Sequence, residues 1–132
     1  MVADWADEYV GIPWRWRGRD RDGVDCWGLV CLVFWERRSM RLPEYTYHSV
    51  GGGGATIEAE RRHWRRITRP QVMDVAMIDA CRRQTDGSLI HGVWHLGINV
   101  GGGYILHTIE GLGVVLMRAC RLKIEGWYRH EP

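Results

Sequence analysis

Apolar and polar positions along the chain follow several patterns, and each predicts a different element. Near the start, Trp5, Ala6, Tyr9 and Val10 recur at helical spacing, which predicts a short helix capped by Asp4 and stopped by Gly11. Residues 12–24, rich in Gly, Pro, Arg and Asp, read as a loop. The next stretch, from Cys26 to Trp35, is apolar on every face and is followed by Glu36, Arg37 and Arg38. Its length and basic end predict a buried helix, with Asp25 where an N-cap belongs. Residues 39–54 are expected to form a surface loop with glycines 51–54 as its mobile part, its role open between a lid, a docking loop and neither. Residues 55–67 read as a second, exposed helix.

From residue 72 onward the periodicity shortens. Residues 72–78, 93–100, 104–109 and 114–117 are short, branched or alternating, and Gly-rich turns separate them. Residues 121–127 add one more expected strand. Helices first and a small antiparallel sheet second make an α+β layout. No repeat or linker divides the chain, so residues 1–132 are expected to form a single domain.

Composition narrows the function. With 45% hydrophobic and 26% charged residues, the chain has an ordinary globular balance. A formal charge of +2 does not argue for nucleic acid, and acids interrupt the basic cluster at 15–21 while that at 61–69 reads as a solvated face. Eight Trp are unusual at this length, and about half are expected in the core, the rest around a groove or interface. The start, from Met1 to Glu8, lacks the basic and apolar regions of a secretory signal. The longest apolar run, 29–35, is too short to span a bilayer. Synthesis in a cytoplasm without a signal peptide, and no membrane insertion, are therefore expected.

Cysteine usage directs attention to one thiol. Four cysteines (Cys26, Cys31, Cys81, Cys120) make no disulfide framework, and Cys26 and Cys31 lie five apart, not at zinc-ligand spacing. A zinc set of Cys81, His91, His95 and Cys120 would lack a local ligand pair, so no metal or cofactor is expected, and Cys31, Cys81 and Cys120 read as core thiols. Cys26 differs because Asp25 places it in the first turn of the buried helix. There the helix dipole and first-turn N–H groups favour a thiolate, and the Cys26 N–H is available as an oxyanion donor.

A thiol nucleophile needs a base, and the base an orienting partner. In the stretch 93–100, Trp94, Leu96, Ile98 and Val100 share one face of a strand, and His95, Gly97 and Asn99 share the other. Gly97 is expected to let a helix terminus approach. If Gly101, Gly102 and Gly103 form a three-residue hairpin loop, Gly97 stands opposite His107, and His95 and His107 become diagonal neighbours on one face. A two-residue loop reverses that parity.

These residues together resemble the NlpC family of papain-like cell-wall cysteine peptidases. The likeness runs through Gly11-Ile12-Pro13-Trp14-Arg15-Trp16-Arg17-Gly18, Gly23-Val24-Asp25-Cys26-Trp27-Gly28-Leu29-Val30 and His95-Leu96-Gly97-Ile98, and ends at His107. Asp74 is similar to the acid that opens the family's first core strand. The resemblance implies a papain-like fold, with hydrolysis of amide bonds in peptidoglycan stem peptides. Cys26 would be the nucleophile, His95 the base and His107 the group orienting it. Trp14 stands where most members carry an oxyanion-binding Tyr, bulky Trp27 where many have a small hydroxyl residue, and Met73 where a Gly is usual. Trp14, Asp25 and Trp27 are thus the candidates for substrate or oxyanion contacts, Asp25 toward a substrate amine or simply as a cap. The Asp-Cys-Trp-Gly-Leu motif and the short chain are most similar to phage tail members, which implies other tail proteins as partners and a virion location acting at the cell wall or periplasm. The alternatives are a catalytically inactive docking module of a phage tail that kept the fold, and acyl transfer by the same residues.

Overall fold

The computed structural model describes residues 1–43, 61–83 and 85–131, without the side chains at 61, 81–83 and 90–94. Its centre is helix α1, Cys26–Arg38. Asp25 caps it as expected, the side chain accepting from Gly28 N at 2.8 Å. Ser39, in the left-handed region at φ 50°, ends it and returns its N–H to Phe34 and Trp35 carbonyls. Leu29, Val30, Val33 and Phe34 are wholly buried. A helix apolar all round can be stable only inside a core, and that is where this one lies.

The loop preceding α1 contains a small hairpin, β1 (Arg19–Asp20) and β2 (Gly23–Val24). A six-stranded antiparallel sheet follows: β3 (Trp64–Ile67), β4 (Val75–Arg83), β5 (Leu89–Gly101), β6 (Tyr104–Ile109), β7 (Gly113–Arg118) and β8 (Lys123–His130). The order across it is β3-β8-β4-β5-β6-β7. Alternation assigns its two faces. Val75 and Met77 of β4, Leu96, Ile98 and Val100 of β5, Leu106 of β6 and Val114 of β7 join the α1 side chains in one core. Ala76, Ile78 and Ile105 form a second cluster, with Ala119, Leu122, Ile124 and Trp127 against it. The fold class is therefore α+β, one principal helix on an antiparallel sheet.

Two ladders of the sheet lose register at a single level. Register shifts occur between Ile78 and Asp79 in the β4–β5 ladder, and between Met77 and Ile78 in the β4–β8 ladder. Bulges on both sides of Ile78 increase local twist there, and Ile78 is the residue opposite His95.

Two expected helices are corrected. The N-terminal one is a single 3-10 turn, Ala6–Glu8, with Trp5 rather than Asp4 at its cap and no side-chain cap bond. Ala3 N donates to Val100 O, and Gly11 N donates to Val114 O, so both ends of this segment are tied to the sheet and too few residues remain for a helix. Of the helix expected over 55–67, residues 55–60 lie outside the described residues, Arg61–His63 is a 3-10 turn and Trp64–Ile67 is β3. Trp64 is buried and Arg65 and Arg66 are exposed, an edge strand paired along its length with β8. The expected loop 39–54 is described only to residue 43, without helix or strand. Other strands run to either side of their expected bounds. Of the tryptophans with described side chains, Trp27 and Trp64 are buried, Trp35 is exposed, and Trp5, Trp14, Trp16 and Trp127 are intermediate. Fewer are in the core than composition suggested. Among the described residues no helix is long and apolar enough to cross a membrane.

Candidate active site

Cys26 is the first residue of α1 and is 6% exposed. Segment 13–19 packs closely on this turn. Val24 N donates to Pro13 O at 2.9 Å, Arg15 N donates to Val24 O at 3.1 Å, and Trp14 bridges Val24. Gly28 is required by this approach, because a Cβ there would collide with the Gly18 carbonyl oxygen. The partly exposed Trp14 is thereby carried on the segment lying against the start of α1.

The two residues flanking Cys26 are both buried and hydrogen-bonded. Asp25 is 4% exposed and accepts from Gly28 N, Arg17 N and the Arg19 guanidinium at 2.8, 3.0 and 2.9 Å. Trp27 is wholly buried, donates its Nε1–H to Pro43 O at 3.2 Å and meets Trp64 edge-on at 6.5 Å between centroids. Its side chain belongs to the core beneath α1, not to a solvent-open groove.

Helix α1 packs on β5 and β6, the strands that carry the two histidines. Ile98 pairs with Leu106 and Asn99 with Ile105, the register that puts His95 and His107 on one face. The ladder then shifts, and Gly101 pairs with Tyr104. Only Gly102 and Gly103 make the turn, with Val100 as the extra residue of a bulge, and this combination keeps the parity of a three-residue loop. Glycines 101, 102 and 103 have φ of 89°, 63° and 81°, which explains the glycine run.

The imidazoles meet as the register implies. His95 Nε2 lies 2.9 Å from His107 Nδ1, with ring centroids 5.2 Å apart and planes at 73°. His107 is 4% exposed and His95 only partly exposed. Burial lowers the His107 pKa to about 4. Burial, and then the neighbouring His107, lower that of His95 to about 3. Both rings are therefore neutral near pH 7. One expectation about this face is corrected: a Cβ on Gly97 would meet Ile105 Cγ2 and Ile78 Cδ1, so the glycine accommodates the second apolar cluster and not a helix terminus.

Asp74, 3% exposed, anchors the start of β4. It accepts Nε and Nη2 of Arg129 at 2.9 and 2.8 Å and the Gln71 N–H at 2.6 Å. The preceding Met73 holds φ of 82°, a conformation that favours glycine. Met73 N donates to Asn99 O at 2.9 Å, which ties this strained residue to β5. Arg19 and Arg129 are the charged partners that sequence reasoning missed. Both pair with acids it had singled out, but a basic residue in an Arg-rich chain carries no signal of its partner.

The other thiols do not all fit a core role. Cys120 is exposed and Cys31 intermediate, while the Cys81 and His91 side chains lie outside the described residues. Among the described residues no group of three or more His, Cys, Asp or Glu side chains is placed to hold a metal.

Comparison with known proteins follows the same lines. A solved NlpC/p60 domain of the peptidoglycan hydrolase SagA superposes with a TM-score of 0.63 at 18% identity, over 94% of this chain and 92% of that one. A lipoprotein-like NLP/P60 family protein from Staphylococcus aureus subsp. aureus Mu50 gives 0.61 at 18% identity, over 98% of this chain and 40% of that one. At that identity the likeness speaks for the fold. In sequence, a probable endopeptidase of Haemophilus influenzae is 36% identical over 53 residues, 40% of this chain and 33% of that protein, so the match spans about a third of the curated relative. The family model described as NlpC/P60 matches residues 11–129, from the segment bearing Trp14 through both histidine strands to Arg129, and the chain belongs to the NlpC/P60 family.

Proposed function

We propose that the chain is a cysteine endopeptidase that hydrolyses amide bonds in peptidoglycan stem peptides, with residues 1–132 acting as one domain. The observation that carries this reading is the buried His95–His107 contact on strands packed against the helix that begins at Cys26. Family membership supports the substrate class.

In this reading His95, kept neutral by burial, takes the Cys26 proton as Sγ attacks the peptide carbonyl carbon. The resulting oxyanion is met by the first-turn N–H of Cys26 and by the Trp14 indole N–H. His95 returns the proton to the leaving amine, the C–N bond breaks and an acyl-thioester remains. His95 then deprotonates water, which attacks the thioester, and the acid product leaves as the thiol is restored. His107 orients the base throughout.

The Asp-Cys-Trp-Gly-Leu motif around Cys26 supports a place in a phage tail, with other tail proteins as partners and action at the bacterial cell wall. Trp14 and Trp27 near Cys26 speak for the docking-module alternative; Trp27 is wholly buried in the core, and Trp14 is partly exposed. Incubation of purified protein with murein fragments, read by mass spectrometry, is expected to give new stem-peptide termini that Cys26→Ala abolishes. Intact fragments with the wild type would overturn the reading. Detection of the chain in purified virions tests the tail assignment separately.

A further inference from the structure

The turn that carries Cys26 holds a charged system that the hydrolytic steps leave unused. Oδ1 of Asp25 accepts from Gly28 N and from Arg19 Nη1, and Oδ2 accepts from Arg17 N. Arg19 Nη1 also donates to Gly18 O at 2.9 Å. Arg17 sits at φ 59°, which non-glycine residues seldom adopt, so its bond to Asp25 helps to hold a strained backbone. A single carboxylate thus closes the helix start, fixes the strained residue and binds a guanidinium.

That carboxylate has an electrostatic cost. A negative charge adjacent to a thiol opposes thiolate formation, whereas a cation favours it. The cap needs only an oxygen acceptor, which Asn supplies without charge. Arg19, with its side chain 22% exposed against 5% for Asp25, is the counter-charge. Gly28 gives it room, since a Cβ there would lie 3.0 Å from Arg19 Nη1.

We propose that Arg19 is a positioning residue that cancels the Asp25 charge beside Cys26 and locks segment 14–19 against the start of the nucleophile helix. The proposal rests on the reading of Cys26 as nucleophile. Among the described residues, Arg17 is on the same segment, and His95 and His107 are carried by the strands that α1 packs against.

The test is the pH dependence of Cys26 alkylation, read by peptide mass spectrometry with Cys120 as the exposed internal reference. Wild type, Arg19→Gln, Asp25→Asn and the double variant form a charge cycle, with His95→Ala alongside. Arg19→Gln removes the guanidinium charge at 2.9 Å from Asp25 and is expected to raise the Cys26 midpoint by about one pH unit. Asp25→Asn keeps the acceptor, removes the carboxylate charge beside Cys26 and is expected to lower it. The double variant returns near the wild-type midpoint. Arg19→Lys keeps the charge and restores the midpoint, and if Arg19→Gln does not fold, Asp25→Asn and Arg19→Lys still read the same balance. Unchanged midpoints throughout, or equal increases in both single variants, would overturn the proposal. Failure of the catalytic reading looks different: Cys26 then titrates like Cys120 and ignores His95→Ala, whatever Arg19→Gln does.

Discussion

His95 Nε2 and His107 Nδ1 face each other at 2.9 Å, and this contact decides where the protons of both rings reside. A neutral pair has one proton to place between them. If His95 donates, its Nδ1 is left as an acceptor, the state a base requires, and His107 carries its proton on Nε2. Among the described residues His107 Nε2 is buried and meets no hydrogen-bond partner. If His107 donates instead, His95 is protonated on Nδ1 and has no base to offer. The proposed mechanism requires the first arrangement, in which the buried His107 N–H meets no acceptor among the described residues, at about 1–3 kcal/mol.

His107→Ala therefore removes the group that fixes the tautomer and the ring. Stem-peptide cleavage is expected to fall by about 10²-fold in kcat with little change in KM, and His95→Ala by at least about 10³-fold. His107→Asn, which retains an acceptor, is expected to lie between wild type and Ala. Steady-state kinetics on a defined stem peptide checks the order, and His107→Ala at wild-type rate would refute the orienting role.

The same burial makes stability depend on pH. An unperturbed histidine titrates near about 6.5. With the folded values lowered to about 3 and about 4, the unfolded chain takes up protons in this window that the folded chain does not. Stability is thus expected to be unaffected by these groups above pH 6.5 and to fall as pH drops toward 4, by at most about 1.4 kcal/mol per pH unit for each ring. Urea midpoints at pH 7 and 4.5 measure the slope, and His107→Asn is expected to flatten it.

Asp74 offers a contrast between buried and surface charge. Asp74→Ala leaves donors of Arg129 and Gln71 without their acceptor and is expected to cost at least about 2 kcal/mol. Glu131→Ala breaks an Arg65 pair whose members are 59% and 51% exposed, and is expected to cost less than about 1 kcal/mol. Thermal melts of the two variants side by side test this.

Gly28→Ala is usually favourable inside a helix, but here the added methyl meets the Gly18 carbonyl. Overpacking of this kind is expected to cost about 1–3 kcal/mol and to push segment 14–19 off the helix start. A lowered melting temperature with a loss of cleavage beyond the unfolded fraction would show both effects.

Much of this architecture is legible in the residues themselves. The apolar run after Asp25 reads as a buried helix from its length and basic end, and alternation in β5 with a three-residue glycine loop behind it puts His95 and His107 on one face. What escaped was set by distant partners. Trp64 to Ile67 reads as part of a basic helix because nothing local shows that β8 waits beside it. The register shifts at Ile78 depend on two ladders at once, and Arg19 and Arg129 acquire meaning only when the chain brings their acids to them.

The bulge at Val100 has a consequence for how such a site can be lost. Parity between His95 and His107 depends on a residue count in a turn far removed from the thiol chemistry. Removal of one glycine from 101–103 would leave every side chain of the triad in the gene and yet turn His107 to the opposite face of the sheet. For this fold, loop length is information of the same rank as residue identity, and a one-codon deletion there is equivalent to deleting a histidine.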